Sequence, residues 1–162
     1  KLSDQAVREI RAVDPLMAGW WTRGALVNFY QANLRALDRG VRIRRIFVVN
    51  REELGEPEVQ KVLLSHYRDD IDIRIVYRDE LPAAGEIIGR DTNSSFDFAL
   101  YDDRVATDVF AHPGKYYGRK TAQPMEVAKY RHLYELIEHS AHTVSEDGDR
   151  IVPSAEVMPL AS

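Results

Sequence analysis

The sequence feature that most constrains the fold is the apolar run Ile-Phe-Val-Val at residues 46–49, which ends the segment 41–49. An unbroken run of this kind is typical of a strand buried on both faces of a parallel sheet. Residues 71–77 alternate apolar and charged side chains and predict a second strand. Because a helical pattern lies between the two segments, we expect parallel strands joined by a helical crossover.

The same alternation of patterns runs through most of the chain. Apolar residues at helical spacing predict helices at residues 26–37, 56–68 and 124–142. Further strands are predicted at residues 5–13, 96–100 and 105–110. Strands that alternate with helices and are followed by a hairpin and a last helix therefore predict an α/β fold, with a mostly parallel or mixed central sheet flanked by helices.

Turn residues divide these elements. Asp14-Pro15 is predicted to end the first strand, and Asp102-Asp103-Arg104 to form the hairpin turn between the last two. Residues 81–93 and 111–123 carry glycine, proline and polar residues and are expected to be irregular connections. We place one domain at residues 1–145 and a C-terminal tail or linker at residues 146–162.

Composition excludes several classes of protein. With 162 residues the chain fits one domain, and no apolar run approaches the roughly 18 residues that cross a bilayer. The absence of cysteine excludes disulfides, thiolate metal sites and thiol catalysis, and favours a cytoplasmic location. A net charge of −4 gives no overall attraction to nucleic acid. Because the chain does not start with Met, we expect a piece of a longer protein.

One passage resembles a known family. Residues 37–44, Leu-Asp-Arg-Gly-Val-Arg-Ile-Arg, are similar to the helix end, Arg-Gly-Val and basic strand of the phospholipase D superfamily. In that superfamily the passage leads, after another helix and strand, to a strand that carries His-x-Lys-x4-Asp. The corresponding residues here are Ser95, Asp97 and Asp102. The resemblance covers about residues 4–142 and implies a phospholipase D-like fold.

The departures from the motif decide the function that the resemblance implies. In the family the His is the nucleophile and the Lys stabilises charge on the phosphoryl oxygens. Ser95 stands at the His position and Asp97 at the Lys position, and a carboxylate repels a phosphodiester. Asp102 matches the family Asp but has no His to orient. We therefore predict no catalytic residues; Ser95 and Asp97 either keep a ligand-binding role or are ordinary strand and turn residues.

Two other catalytic or metal sites are compatible with the residue types. Ser95, Asp97 and His112 could form a nucleophile, acid and base, although no Gly-x-Ser-x-Gly elbow accompanies them. The last predicted helix carries two Glu/His pairs at i,i+4 spacing, Glu135 with His139 and Glu138 with His142. The same spacing serves ordinary surface charge pairing, so we predict neither a metal nor a cofactor.

A basic loop is predicted at residues 112–120, His-Pro-Gly-Lys-Tyr-Tyr-Gly-Arg-Lys. Its cations could bind phosphate, and its tyrosine rings could stack against a base. The net negative charge of the chain opposes nucleic-acid binding and favours the alternative, a solvated basic loop. A second basic group, Arg42, Arg44, Arg45 and Arg51, cannot share one face because strand side chains alternate. The candidate ligand-binding residues are Ser95, Asp97, Asp102, His112, Lys115, Tyr116, Arg119 and Lys120.

The sequence thus predicts a non-catalytic sensory, regulatory or interaction domain that binds a small ligand or a protein partner. The resemblance also implies a homodimer, because single-unit members of that family pair across a two-fold axis. A divergent phosphodiesterase with rebuilt residues and a nucleic-acid-binding module that uses residues 112–120 are the alternatives.

Overall fold

The computed structural model describes residues 8–16, 24–81, 96–112 and 115–154. Ser95 and most of the predicted connection at residues 81–93 lie outside these ranges, as does the first part of the strand predicted at residues 5–13. The strands are β1 (Glu9–Pro15), β2 (Arg42–Val49), β3 (Asp72–Tyr77), β4 (Phe98–Tyr101), β5 (Val105–His112), β6 (Lys115–Thr121), β7 (His142–Glu146) and β8 (Ile151–Pro153). The helices are α1 (Gly24–Asp38), α2 (Pro57–Arg68) and α3 (Pro124–Ser140), with short 3-10 turns at Arg51–Glu53 and Arg78–Glu80.

These strands form one sheet in the order β6-β5-β4-β1-β2-β3-β7-β8. The pairs β1–β2 and β2–β3 are parallel, and every other pair is antiparallel. The predicted α/β class with a mixed central sheet flanked by helices is confirmed. Parallel pairing is confined to β1, β2 and β3, which are joined by helical crossovers, whereas β4–β5, β5–β6 and β7–β8 are hairpins.

Helices cover both faces of the sheet. Residues Ala12, Phe47 and Ile75 pack in one core with side chains of α1 and α2. Residues on the opposite face of the same strands, such as Ile46 and Val48, pack in a second core with α3. Every side chain of the run at residues 46–49 is fully buried, which explains why this strand carries no alternation.

Two strand boundaries differ from the prediction. β1 continues through Asp14 and Pro15, and Pro15 pairs in parallel register with Val48. Proline at the last position of the strand interrupts no interior bond of the ladder. The predicted connection at residues 111–123 is largely strand: β5 extends to His112, and β6 follows it as the edge strand of the sheet. β6 was not predicted as a strand because it contains glycine and several cations. An edge strand tolerates such charged residues, whereas an interior strand does not.

The end of the chain also differs. α3 ends at Ser140, so His142 lies in β7 and does not share a helix with Glu138. The predicted tail contains β8, which pairs with β7 in antiparallel register. Both strands are too short and polar for their pattern to stand out, although Ile151 is fully buried.

The side chain of Gln60, on α2, forms hydrogen bonds to β8. Its Nε2 donates to the carbonyl oxygens of Leu54 and Ile151, at 2.8 and 3.0 Å, and its Oε1 accepts the Ile151 N–H at 2.7 Å. The side-chain amide therefore bonds to Ile151 as a neighbouring strand would. Arg68 adds ion pairs from the end of α2 to Glu146 and Asp149, which flank the turn before β8.

Replacing Gln60 with Leu should leave the buried backbone groups of Leu54 and Ile151 without their partner. We expect a loss of about 1–3 kcal/mol in the free energy of unfolding, measured by urea denaturation, since that is the usual cost of unsatisfied buried polar groups. Hydrogen exchange of the Ile151 amide should accelerate more than exchange of amides in β2. Lys61→Leu, at the exposed neighbouring position, is the control, and equal effects of the two variants would contradict this role of Gln60.

Candidate functional site

A buried ion pair lies at the centre of the face covered by α1 and α2. Nη1 of Arg45 is 2.5 Å from Oδ2 of Asp14. Both residues point to this face because Ala12 and Phe47, two positions away on the same strands, pack in the core beneath these helices. Arg45 is 0% exposed, so Asp14 offsets a charge that solvent cannot reach.

Asp97 adds a second carboxylate to this pair. It precedes β4, whose register with β1 places it opposite Asp14, and its carbonyl oxygen accepts the Val109 N–H at 2.8 Å. Burial and then the charge of Asp14 raise the pKa of Asp97 well above its ordinary value, and Arg45 offsets only part of this rise. Burial also raises the pKa of Asp14. Two carboxyl groups therefore face one guanidinium, and Asp97 is the one that favours its protonated form.

His66 approaches the same guanidinium from α2. The residue is 2% exposed, its ring packs edge-on against Phe47 at 5.1 Å between centroids, and its Nδ1 donates to the carbonyl oxygen of Val62 at 2.8 Å. Burial, reinforced by the positive charge of Arg45, lowers the pKa of His66 to about 3. The imidazole is therefore neutral at physiological pH.

Asn33 lies on the inner side of α1, over the same face of the sheet. It is 0% exposed, and neither its Oδ1 nor its Nδ2 has a hydrogen-bond partner among the described residues. A buried amide normally has such partners. We call Asp14, Arg45, Asp97 and His66 the central polar cluster, and Asn33 belongs to the helix layer that covers the same face. The cluster has more carboxyl groups than cations.

The predicted ligand-binding residues are not gathered in one place. Asp102 lies at the far end of β4 from Asp97, where its Oδ1 accepts the N–H groups of Arg8 and Glu9 at 2.8 and 2.9 Å. Asp102 and Asp103 have φ angles of 54° and 56°, and the Arg104 N–H bonds to the Tyr101 carbonyl oxygen at 3.0 Å. These are the features of a type I′ hairpin turn, so Asp102 orders the start of β1 and closes the predicted turn.

Arg119 belongs to the opposite face of the sheet. It pairs in register with Asp108 of β5, and its Nη2 donates to the Tyr130 hydroxyl oxygen at 3.1 Å. The Tyr130 hydroxyl in turn donates to Oδ2 of buried Asp108 at 2.7 Å. Burial and this bond to Asp108 raise the pKa of Tyr130. Arg119 thus covers a buried tyrosine–carboxylate pair of α3 and β5, while Lys120 is exposed beside it.

The remaining predictions concern residues that the structure describes in part. The backbones of His112, Lys115 and Tyr116 lie in the β5–β6 hairpin, with His112 three positions beyond Val109, the neighbour of Asp97. Ser95 lies outside the described residues, so the predicted Ser95–Asp97–His112 arrangement stays a prediction. Within the described ranges no three His, Asp or Glu side chains group in a way that would hold a metal ion. Of the helices in those ranges, none has the length and apolarity to cross a bilayer.

Most members of the central polar cluster were missed at the level of sequence. Asp14 was assigned to a turn, and Arg45 was grouped with Arg42, Arg44 and Arg51 as basic residues that cannot all share one face. The signal was the alternation Ile43, Arg45, Phe47, which puts Arg45 on the core side of its strand. Asn33 carried no local signal. His66 lies at helical spacing with the apolar residues Val59 and Leu63, which indicates a buried position, but its proximity to Arg45 depends on helix packing.

Comparison with known proteins identifies the fold. No family model matches the chain, and no curated protein matches it by sequence. Nuc from Salmonella typhimurium, a phospholipase D family member, superposes with a TM-score of 0.60 at 11% identity, over 90% of this chain and 87% of Nuc. TrmBL2, an archaeal chromatin protein with a novel mode of DNA binding, gives a TM-score of 0.54 at 14% identity, over 86% of this chain. This chain spans 46% of TrmBL2. At such identities the similarity establishes a phospholipase D-like fold alone.

Replacing Asp97 with Asn should change how stability depends on pH. Because the folded-state pKa of Asp97 is raised, its protonated form favours the fold at low pH, and this contribution is lost as pH rises through the folded-state pKa. Asn is neutral throughout. We expect the melting temperature of Asp97→Asn, relative to the wild type, to rise as pH increases above about 4, the unfolded-state pKa, and to level off once pH exceeds the folded-state pKa. Glu135→Gln, an exposed control on α3, should show no such trend.

His66 should set the acid limit of stability. The unfolded chain binds a proton at His66 near pH 6.5, whereas the folded chain does so only near pH 3. Stability is therefore lost as pH falls through this window, by at most about 1.4 kcal/mol per pH unit. His66→Gln should flatten the slope of unfolding free energy against pH in urea titrations. Exposed His132→Gln should keep the wild-type slope, and an unchanged slope in His66→Gln would contradict the assignment.

Proposed function

We propose that this chain is a non-catalytic domain with a phospholipase D-like fold that binds a ligand at the central polar cluster and acts as a sensory or regulatory module. One observation carries the proposal: Asp97, which stands where the resemblance puts the charge-stabilising Lys, faces a second carboxylate, Asp14. The position that would need a cation for phosphoryl chemistry is occupied by an acid.

The electrostatics of the cluster support this reading. Phosphoryl transfer needs positive charge at the oxygens of the transferring group. Arg45 is the nearest described cation, but it is fully buried and engaged by Asp14. His66 is held neutral by burial and by Arg45. A phosphodiester brought to Asp97 would therefore meet carboxyl groups and lose its hydration with little compensation.

The same features favour a ligand that is neutral or positively charged and carries hydroxyl or amine groups. A protonated Asp97 can both donate and accept a hydrogen bond, and an ionised Asp97 can pair with a cation. The buried amide of Asn33, in the helix layer over the same face of the sheet, has no hydrogen-bond partner among the described residues. Binding would stabilise the strands and the helix that carry the cluster and so alter how the domain meets another part of its protein or a second copy of itself. A homodimer stays a prediction from the family resemblance.

A metal-free assay on a chromogenic phosphodiester tests the absence of catalysis. We expect no turnover above the blank for the wild type, Ser95→Ala or Asp97→Ala, because no described cation is positioned to stabilise the transition state. Turnover in the wild type that disappears in either variant would overturn the proposal and establish a phosphodiesterase with rebuilt residues.

Thermal-shift screening tests the ligand site itself. A panel of neutral polyols and primary amines should contain a compound that raises the melting temperature of the wild type, since a ligand at a hundredfold excess over its Kd stabilises by about 2.7 kcal/mol. The shift should be lost in Asp97→Ala and kept in Glu135→Ala, whose side chain is exposed on α3. A shift that survives in Asp97→Ala would place the ligand elsewhere.

Nucleic-acid binding is the second candidate. It is favoured by exposed Arg119 and Lys120 on β6 and by the similarity in fold to TrmBL2, which binds DNA. The net charge of −4 opposes it. This candidate requires salt-dependent binding that weakens when Lys115, Arg119 and Lys120 are neutralised together.

A further inference from the structure

The outer edge of β6 offers a row of backbone groups to a partner. Val109 of β5 donates its N–H to Asp97 at 2.8 Å, away from β6. Its cross-strand neighbour on β6 is Gly118. In an antiparallel pair, two opposed residues point their N–H and C=O groups either towards each other or both outwards. Gly118 therefore points its backbone groups outwards, and so does Lys120 two positions along.

This edge is accessible among the described residues. β6 is the last strand on its side of the sheet, and Gly118, Arg119 and Lys120 are all exposed. A Cβ added to Gly118 would meet no atom within 4 Å, so a neighbouring backbone could come close. A groove of about 200 Å³ lies beside these positions, lined by Thr107, Asp108, Val109, Gly118, Arg119 and Lys120.

The charge of the strand selects the partner. β6, Lys-Tyr-Tyr-Gly-Arg-Lys-Thr, carries three cations and no acid. Two copies of β6 paired edge to edge would bring six cations together without a carboxylate from either strand, which opposes self-association. We propose that β6 is a docking edge for an extended acidic segment of another protein, which adds to the sheet as a further strand. The proposal does not depend on the ligand site at the central polar cluster.

The test uses a fluorescent peptide of alternating glutamate and valine, with a peptide of the same sequence whose amides are all N-methylated as its control. The first peptide should bind the domain and the second should not, because it keeps the charge but cannot form strand hydrogen bonds. In hydrogen exchange of the wild type, the peptide should slow the Gly118 and Lys120 amides. The Arg119 amide, which faces β5, should change little.

Two variants of Lys120 separate the contribution of its backbone N–H to peptide binding from that of its side-chain charge. Lys120→Gln keeps the outward N–H and should weaken binding by no more than about fivefold, the upper range for an exposed ion pair. Lys120→Pro removes that N–H as well and should weaken binding by at least about tenfold, while an edge strand tolerates the proline. Its melting temperature and circular dichroism report whether it is folded.

Several outcomes would overturn the proposal. These are equal binding of the N-methylated peptide, no binding of either peptide, or no change in exchange of the Gly118 and Lys120 amides. Protection of these amides by a DNA duplex but not by the acidic peptide would assign the edge to nucleic acid. Protection that rises with protein concentration alone, together with a dimer in sedimentation velocity, would assign it to a second copy.

Discussion

The contact between Arg45 and Asp14 is the interaction on which the chemistry of this domain depends. A guanidinium in the middle of a parallel strand, under two helices, has no access to water and must be matched by a carboxylate. Its charge then acts on every titratable group nearby. It adds to the burial that lowers the pKa of His66, and it offsets only part of the effect of burial that raises the pKa of Asp97. Because breaking a buried pair leaves an isolated charge, neither partner can change without the other.

The sequence predicted the layers of the fold better than its edges. The run at residues 46–49 predicted a fully buried strand, and all its side chains are buried. The hairpin turn at residues 102–104 was equally predictable, since adjacent Asp residues accept positive φ. β6 and β8 were not, because edge strands lack the apolar alternation that interior burial imposes. The central polar cluster was not predicted for another reason. Its residues come from β1, β2, α2 and the position before β4, and a linear pattern carries little information about their proximity.

The sheet separates two kinds of surface. The central polar cluster lies under α1 and α2, with Arg45 in the middle of β2 and Asp14 near the end of β1. The basic edge of β6 is separated from β1 by β4 and β5, and its Arg119 reaches the face of α3. The two surfaces share the β4–β5 ladder, through the bond from Val109 to Asp97. An occupant of either surface would thus stabilise strands that the other also uses.

The raised pKa of Asp97 has a consequence for the heat of ligand binding. Burial and a neighbouring carboxylate favour the protonated form of this carboxyl group. When a cationic ligand binds there, the carboxyl group releases its proton. When a neutral hydroxyl binds there, the carboxyl group keeps its proton and donates a hydrogen bond to the hydroxyl. A released proton is taken up by the buffer, whose ionisation enthalpy then enters the measured heat. Titration calorimetry in two buffers of different ionisation enthalpy would therefore count protons, and so distinguish an amine from a polyol at this carboxyl group without a structure of the complex.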